Sequence, residues 1–290
     1  MRVLFLGDIV GRSGRNAVIE QLPGLRRELA LDFIVVNVEN AAGGFGVTPA
    51  ICDDVLAAGA DVLTTGNHVW DKREIFDYIA NQPRLLRPLN MAEGVPGEGS
   101  VTVTNDAGQR LTVVNVITNL FMADYEPVFP AVNAALVRNR LGRDADFIMI
   151  DVHGEATSEK MAIGHYADGR ASMVVGTHTH VPTADHQILA GGTAYQSDTG
   201  MCGDYDSVIG MNKEAATARF TGTDGPRLSV AMGAPTLCGL LVESDADGRA
   251  ISVEPLRRGG RLSAHTPTAA PRETELAIGS DLIDAGVTRA

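Results

Sequence analysis

Eight residues able to bind a metal or move a proton sit just past short apolar runs, or one residue beyond such an end. Residues 3–6 run into Asp8, residues 33–38 into Glu39-Asn40, and residues 61–65 through Gly66 into Asn67-His68. Residues 147–152 lead to His153, and residues 173–175 lead through Gly176-Thr177 to His178-Thr179-His180. Carboxylates, amides and imidazoles in this mixture suit a two-metal centre with nitrogen and oxygen ligands, whereas core packing has no use for them. His178-x-His180 is the sharpest short signal, because two imidazoles in one turn can face two ions about 3.5–4 Å apart. Alone, such a pair in a loop is more often two exposed side chains; with the other four strand ends it gains a context.

The elements that must position these residues follow from the apolar runs. In an open α/β sheet, ligands collect beyond the carboxyl ends of the strands. Three strands in the first 65 residues alternate with helices expected over residues 16–30 and 49–58, the latter with Thr48 as N-cap and Pro49 at its first position. That order argues for parallel pairing through right-handed crossovers. A further helix is expected over residues 71–80, capped by Asp71. From residue 94 the pattern changes: residues 100–104 and 111–116 flank Asn105-Asp106-Ala107-Gly108, a hairpin signal that brings antiparallel strands into the fold. Helices over residues 130–141 and 157–165 alternate with strands over 146–152 and 171–175, and a hairpin over 183–195 turns at Gly191-Gly192. Residues 197–206 read as a long polar loop of the kind that often serves as a lid. A closing hairpin pairs residues 237–243 with 250–255, after which the composition turns to Gly, Thr, Ala and Pro. One domain over residues 1–258 and a peripheral tail over 259–290 are therefore expected.

Composition narrows the function. A chain of 290 residues with 44% hydrophobic content can build a continuous core, and a formal charge of −12 without a Lys/Arg run disfavours extended nucleic-acid binding. Bound cations would reverse the potential inside a cleft, so small anionic substrates remain open. Cys52, Cys202 and Cys238 are few, odd in number and widely spaced, which points to reduced thiols in a cytoplasm. No apolar run reaches the roughly 18 residues of a membrane span. Gly7, Gly11 and Gly14 do not form G-x-G-x-x-G, and Asp8 stands where a dinucleotide pyrophosphate would need uncharged backbone.

The ordered blocks Gly7-Asp8, Glu39-Asn40, Gly66-Asn67-His68, His153 and Gly176-Thr177-His178-Thr179-His180 resemble those of the calcineurin-like metallophosphoesterase superfamily. Further stretches look like the YmdB-type branch of bacterial cyclic-nucleotide phosphodiesterases: Gly7-Asp8-Ile9-Val10-Gly11, Asn37-Val38-Glu39-Asn40, Gly66-Asn67-His68-Val69-Trp70, Glu155 to Lys160, and Tyr205 to Met211. The superfamily's usual D-x-H first block is broken here by Val10, for which Asn40 is the replacement donor, and its usual bridging Asp is Glu39.

The resemblance implies a four-layer α/β/β/α sandwich with mixed parallel and antiparallel sheets. It implies a first ion on Asp8, Glu39, Asn40 and His180 and a second on Glu39, Asn67, His153 and His178. An oxygen in place of an imidazole hardens the first site, which favours iron, with manganese next, over zinc. The implied chemistry is attack by an ion-activated hydroxide on a small phosphodiester, a 2′,3′-cyclic nucleoside monophosphate first among candidates, with His68 as proton donor. Hydrolysis of phosphomonoesters or 3′,5′-cyclic nucleotides on the same site is the near alternative, and a metal-dependent nucleotide sensor acting through partners is the distant one. A homo-oligomer is compatible with all of these.

Overall fold

The structure, a computed structural model, describes residues 1–268. The chain runs β1 (Arg2–Leu6), α1 (Gly11–Glu28), β2 (Phe33–Asn37), α2 (Pro49–Ala57), β3 (Val62–Thr64), α3 (Ile75–Ile79), β4 (Ser100–Thr104), β5 (Arg110–Ile117) and α4 (Val128–Arg138). It continues through β6 (Phe147–His153), α5 (Thr157–Ala167), β7 (Met173–Thr177), β8 (Gln187–Ile188), β9 (Ala194–Gln196), β10 (Gly203–Asp204), α6 (Lys213–Thr221), β11 (Pro235–Ser244) and β12 (Ala250–Arg258).

Side-chain alternation along buried strands explains the layering. In β1, Leu4 and Leu6 join a core with Leu22 and Leu25 of α1 and Val55 of α2, whereas Val3 and Phe5 join a second core with Val113 of β5 and Met149 of β6. On the far side of β6, Ile148, Ile150 and Val152 pack with Val132 of α4 and Ile163 of α5 in a third core. Three apolar seams separate four layers, so the sandwich is helix, sheet, sheet, helix, as the resemblance implied. Full burial of such side chains contributes about 1.5–3 kcal/mol each, which lets the fold carry several buried carboxylates.

One sheet has the order β10-β11-β1-β2-β3, with β12 also paired to β11, and the other has the order β4-β5-β6-β7-β9-β8. β1, β2 and β3 pair in parallel, and β5, β6, β7 and β9 do likewise. Antiparallel hairpins close both sheets, with β4 on β5, β8 on β9 and β11 on β12. The carboxyl ends of β1, β2, β3, β6 and β7 carry the donor residues from both sheets to one rim.

Several elements differ from the sequence expectation. α1 begins at Gly11 rather than near residue 16, because its first turn is pressed onto the chain before β10: a Cβ at Gly14 would lie 1.9 Å from the Cys202 carbonyl oxygen. The helix expected over residues 71–80 shrinks to α3, since Asp71 turns to His68 and does not cap it. Residues 197–206 are not a lid. Ser197 to Asp204 are buried, and Asp198 is tied to Lys160 and Thr179 beneath the histidine pair. α6 has no counterpart among the sequence expectations, because it buries only Ala215 and Ala216 and so has no apolar stripe; its ends are nonetheless marked by the Asn212 cap and left-handed Gly222. Of the expected tail, residues 259–268 fold back so that His265 bridges Arg257, and the remainder lies outside the described residues.

Candidate metal centre

Gly66 follows β3 against the ring of His153: a Cβ there would fall 2.3 Å from Nε2. This close approach requires glycine, and it lets the next residue, Asn67, bring Oδ1 to 3.0 Å from His153 Nε2. His178 Nδ1 lies 3.1 Å from the same nitrogen, and Glu39 Oε2 lies 2.9 Å from it without hydrogen-bond alignment. The donor atoms of Glu39, His153 and His178 all fall within 4.8 Å of one another. Beside this group, Asp8 Oδ1 is 3.9 Å from His153 and 4.0 Å from His180 Nε2, which is itself 3.2 Å from the Asn40 side-chain amide. The structure therefore brings Asp8, Glu39, Asn40, Asn67, His153, His178 and His180 into one nest.

The second nitrogen of each imidazole has its own partner. His153 Nδ1 faces Thr177 Oγ1 at 3.0 Å, and Thr177 Oγ1 donates to Asp151 at 2.8 Å. His178 Nε2 is 3.4 Å from the Glu155 carboxylate, and His180 Nδ1 donates to the Ile209 carbonyl at 2.8 Å. With those nitrogens protonated, three lone pairs point inward, the tautomers that metal ligation needs. Both His178 (φ +97°) and His180 (φ +66°) occupy the left-handed region, a strained backbone for a residue with a Cβ.

Electrostatics agree with the geometry. Burial pushes His153 and His178 down to about 3, so both are neutral at ordinary pH. Burial also raises Glu39, and it pushes Asp8 up to about 6 despite the nearby imidazoles of His180 and His153. Asp8 Oδ1, Glu39 Oε2 and Asn40 Oδ1 are buried without a hydrogen-bond partner. Buried acceptors normally find donors. Around His153 Nε2 acceptors face acceptors, with Glu39 Oε2, Asn67 Oδ1 and His178 Nδ1 at 2.9, 3.0 and 3.1 Å, the separation expected between ligands each about 2.1 Å from a shared ion. The donor set fits a cation.

His68 stands at the edge of the nest. Its backbone N–H donates to Glu39 Oε1 at 2.8 Å, and its Nδ1 lies 2.9 Å from Asp71 Oδ2. With Glu39, Asn40, His178 and His180 it lines a cleft of about 280 Å³. A roomier hollow of about 560 Å³ beside α4, lined by Leu136, Arg140 and Arg170, offers no carboxylate or imidazole and does not compete as a site.

The residues that orient this nest escape the sequence reading. Asp71 reads there as a helix cap, although its spacing of three from His68 is a usable signal. Glu155 enters only as part of a motif. Thr177 and Ile209 likewise enter only inside quoted stretches, with no role assigned, and nothing local marks Asp151.

Residues 4–256 match the model of the YmdB-like protein family. The chain is 44% identical over 255 residues to a 2′,3′-cyclic-nucleotide 2′-phosphodiesterase of Bacillus subtilis (strain 168), covering 88% of this chain and 96% of that one. Among solved structures, a hypothetical protein from Thermus thermophilus superposes with a TM-score of 0.83 at 38% identity, covering 90% of this chain and 100% of its own. A protein from Mycoplasma pneumoniae described as a novel phosphatase gives 0.82 at 31% identity, covering 89% and 93%.

Proposed function

The chain belongs to the YmdB-like family and is a phosphoric ester hydrolase; from that premise we propose that it opens 2′,3′-cyclic nucleoside monophosphates at the 2′ bond, using two bound metal ions. The observation that carries the two-ion reading is the set of buried, unpartnered oxygens on Asp8, Glu39 and Asn40, gathered around His153 and His180, with Glu39 Oε2 only 2.9 Å from His153 Nε2. The Bacillus subtilis relative carries the choice of substrate.

One ion would be held by Asp8, Glu39, Asn40 and His180, and the other by Glu39, Asn67, His153 and His178. A half-turn of the Asn40 amide exchanges its nitrogen for Oδ1 beside His180 Nε2, which is the orientation ligation demands. The oxygen-rich first set favours iron, with manganese as the alternative. Bound there, the ions would activate water at neutral pH and neutralise charge on the phosphoryl oxygens.

The chain's own residues supply the rest. Water attacks phosphorus and releases a proton to solvent, the bond from phosphorus to O2′ breaks, and the leaving alkoxide takes a proton from Nε2 of the His68 imidazolium, giving a 3′-monophosphate and a neutral His68 that regains its proton from water. Asp71 commits Nδ1 of that ring, which leaves Nε2 for the leaving oxygen. Glu39 fixes the His68 backbone through Oε1 while Oε2 remains in the nest, so the donor and the ions share one anchor. The three cysteines are free and buried, which supports a cytoplasmic hydrolase. Among the described residues no helix is long and apolar enough to cross a membrane.

The test is product analysis by phosphorus NMR with manganese- or iron-loaded protein. Adenosine 2′,3′-cyclic phosphate should yield the 3′-monophosphate faster than adenosine 3′,5′-cyclic phosphate or a monoester is cleaved. Turnover of the monoester alone would replace this reading with a phosphomonoesterase, and tight binding without product would replace it with a sensor.

A further inference from the structure

The cleft has a second character beside its polar nest. Val10, Phe45, Ile209 and Met211 line it with apolar side chains, and two of them stand well out in water: Phe45 is 39% exposed and Ile209 is 53% exposed. Neither is there by looseness of the chain.

Ile209 has a φ of +47°, a conformation that a β-branched residue rarely adopts and that structure around it must enforce. Its carbonyl takes the His180 Nδ1 proton at 2.8 Å, and the flanking Val208 and Met211 bond to each other through their backbones. The arrangement that turns His180 toward the nest thus also puts the Ile209 side chain in the cleft. Phe45 lies on a loop whose glycines 43, 44 and 46 all have positive φ. That loop is seated firmly, since a Cβ at Gly44 would come within 2.6 Å of Val230. The Phe45 and His68 rings pack at a steep angle, with centroids 5.0 Å apart and planes at 67°, and Phe45 keeps 39% of its surface open to the cleft side and solvent.

We propose that Phe45 and Ile209 form a nucleobase clamp, a subsite that rests on the cyclic-nucleotide reading above and extends it from the phosphate to the base. The Phe45 face stacks on the base, and Ile209 supplies an apolar contact for it. None of the four apolar side chains offers an N–H or O–H to read a base edge. The clamp therefore holds purines and pyrimidines alike, by area and not by hydrogen-bond pattern. A cleft of about 280 Å³ sits near the lower end of small-molecule sites, which suits one nucleotide and not a strand.

The experiment compares KM and kcat on adenosine 2′,3′-cyclic phosphate, uridine 2′,3′-cyclic phosphate and methyl riboside 2′,3′-cyclic phosphate, which lacks the base. Removing a stacking ring costs roughly 5- to 150-fold in base binding. Phe45→Ala should raise KM for the adenosine and uridine substrates at least about fivefold more than for the baseless one. Phe45→Trp should restore most of the preference, and Ile209→Ala should lower it by a smaller factor. An unchanged ratio between nucleotide and baseless substrates in Phe45→Ala overturns the clamp while leaving the phosphodiesterase reading intact. If the wild-type protein cleaves other phosphoesters but none of these three, the cyclic-nucleotide reading fails, and the clamp with it.

Discussion

His68 Nδ1 lies 2.9 Å from the carboxylate of Asp71, three residues further along the chain, with both side chains partly exposed and only His68 lining the cleft. In the proposed reaction the pair would hold one ring nitrogen and leave the other for the leaving oxygen. The Asp71 carboxylate bonds to His68 and not to the nest residues, which separates its effect from metal binding. Asp71→Asn should lower kcat about 10- to 100-fold, and His68→Ala about 10²- to 10⁴-fold, with both ions retained. Elemental analysis together with single-turnover kinetics checks this. An emptied centre in either variant would mean that the pair supports the ions and not proton transfer.

Gly66 gives the most local test of the nest. A methyl group there would overlap His153 Nε2, the atom nearest to Asn67, Glu39 and His178. Gly66→Ala should swing the imidazole away and weaken metal binding at least about tenfold. Calorimetric titration of manganese into the variant measures this, and wild-type affinity would count against a ligand role for His153.

Asp151 makes a pH-dependent contribution whose sign follows from its burial. Its carboxyl is pushed up to about 7 by burial, although Thr64, Thr177 and Asn37 donate to it. An unfolded chain gives up that proton near about pH 3.9. The folded state alone keeps it between those values, so the contribution is fully present below about pH 4 and is lost as pH rises through about 7. Each pH unit within that window is worth about 1.4 kcal/mol. Melting curves of metal-free wild-type and Asp151→Asn protein should therefore converge or cross in favour of the variant between about pH 4 and 7. Parallel curves across that range would refute the account.

Lys160 and Asp198 form an ion pair 3.1 Å long with both side chains 2% exposed, and Lys160 Nζ also donates to the Thr177 carbonyl at 2.7 Å. Asp198 in turn accepts from the Thr179 backbone, between the two histidines of the nest. Lys160→Met leaves that carboxylate buried and unpaired, at a cost of about 3–5 kcal/mol. Denaturant titration should show that loss, and a change under about 1 kcal/mol would indicate that the pair is not as dry as its burial implies.

Much of this is legible in the chain because it is encoded locally. Buried β1, β2, β3, β6 and β7 are continuous apolar runs, and Thr48-Pro49 marks the start of α2 as it should. The residues converging on the nest are visible as polar punctuation after those runs. What stays hidden depends on distant contacts. Residues 197–206 look like a solvent loop, yet Asp198 is sheltered by a lysine 38 positions earlier. Asp71 is a plausible helix cap until the fold turns it to His68. Ile209 shows in the sequence only as one residue of the Tyr205 to Met211 stretch and Phe45 carries no signal there, since only the closed cleft sets them beside the same histidines.

The donor atoms are divided between two facing sheets, with Asp8, Glu39, Asn40 and Asn67 following β1, β2 and β3, and His153, His178 and His180 coming from β6 and β7. Sliding one sheet past the other by a single residue, about 3.3 Å, would exceed a metal–ligand bond of about 2.1 Å. The nest therefore lasts only while the two sheets keep their mutual registry, which length added at the opposite rim would leave untouched.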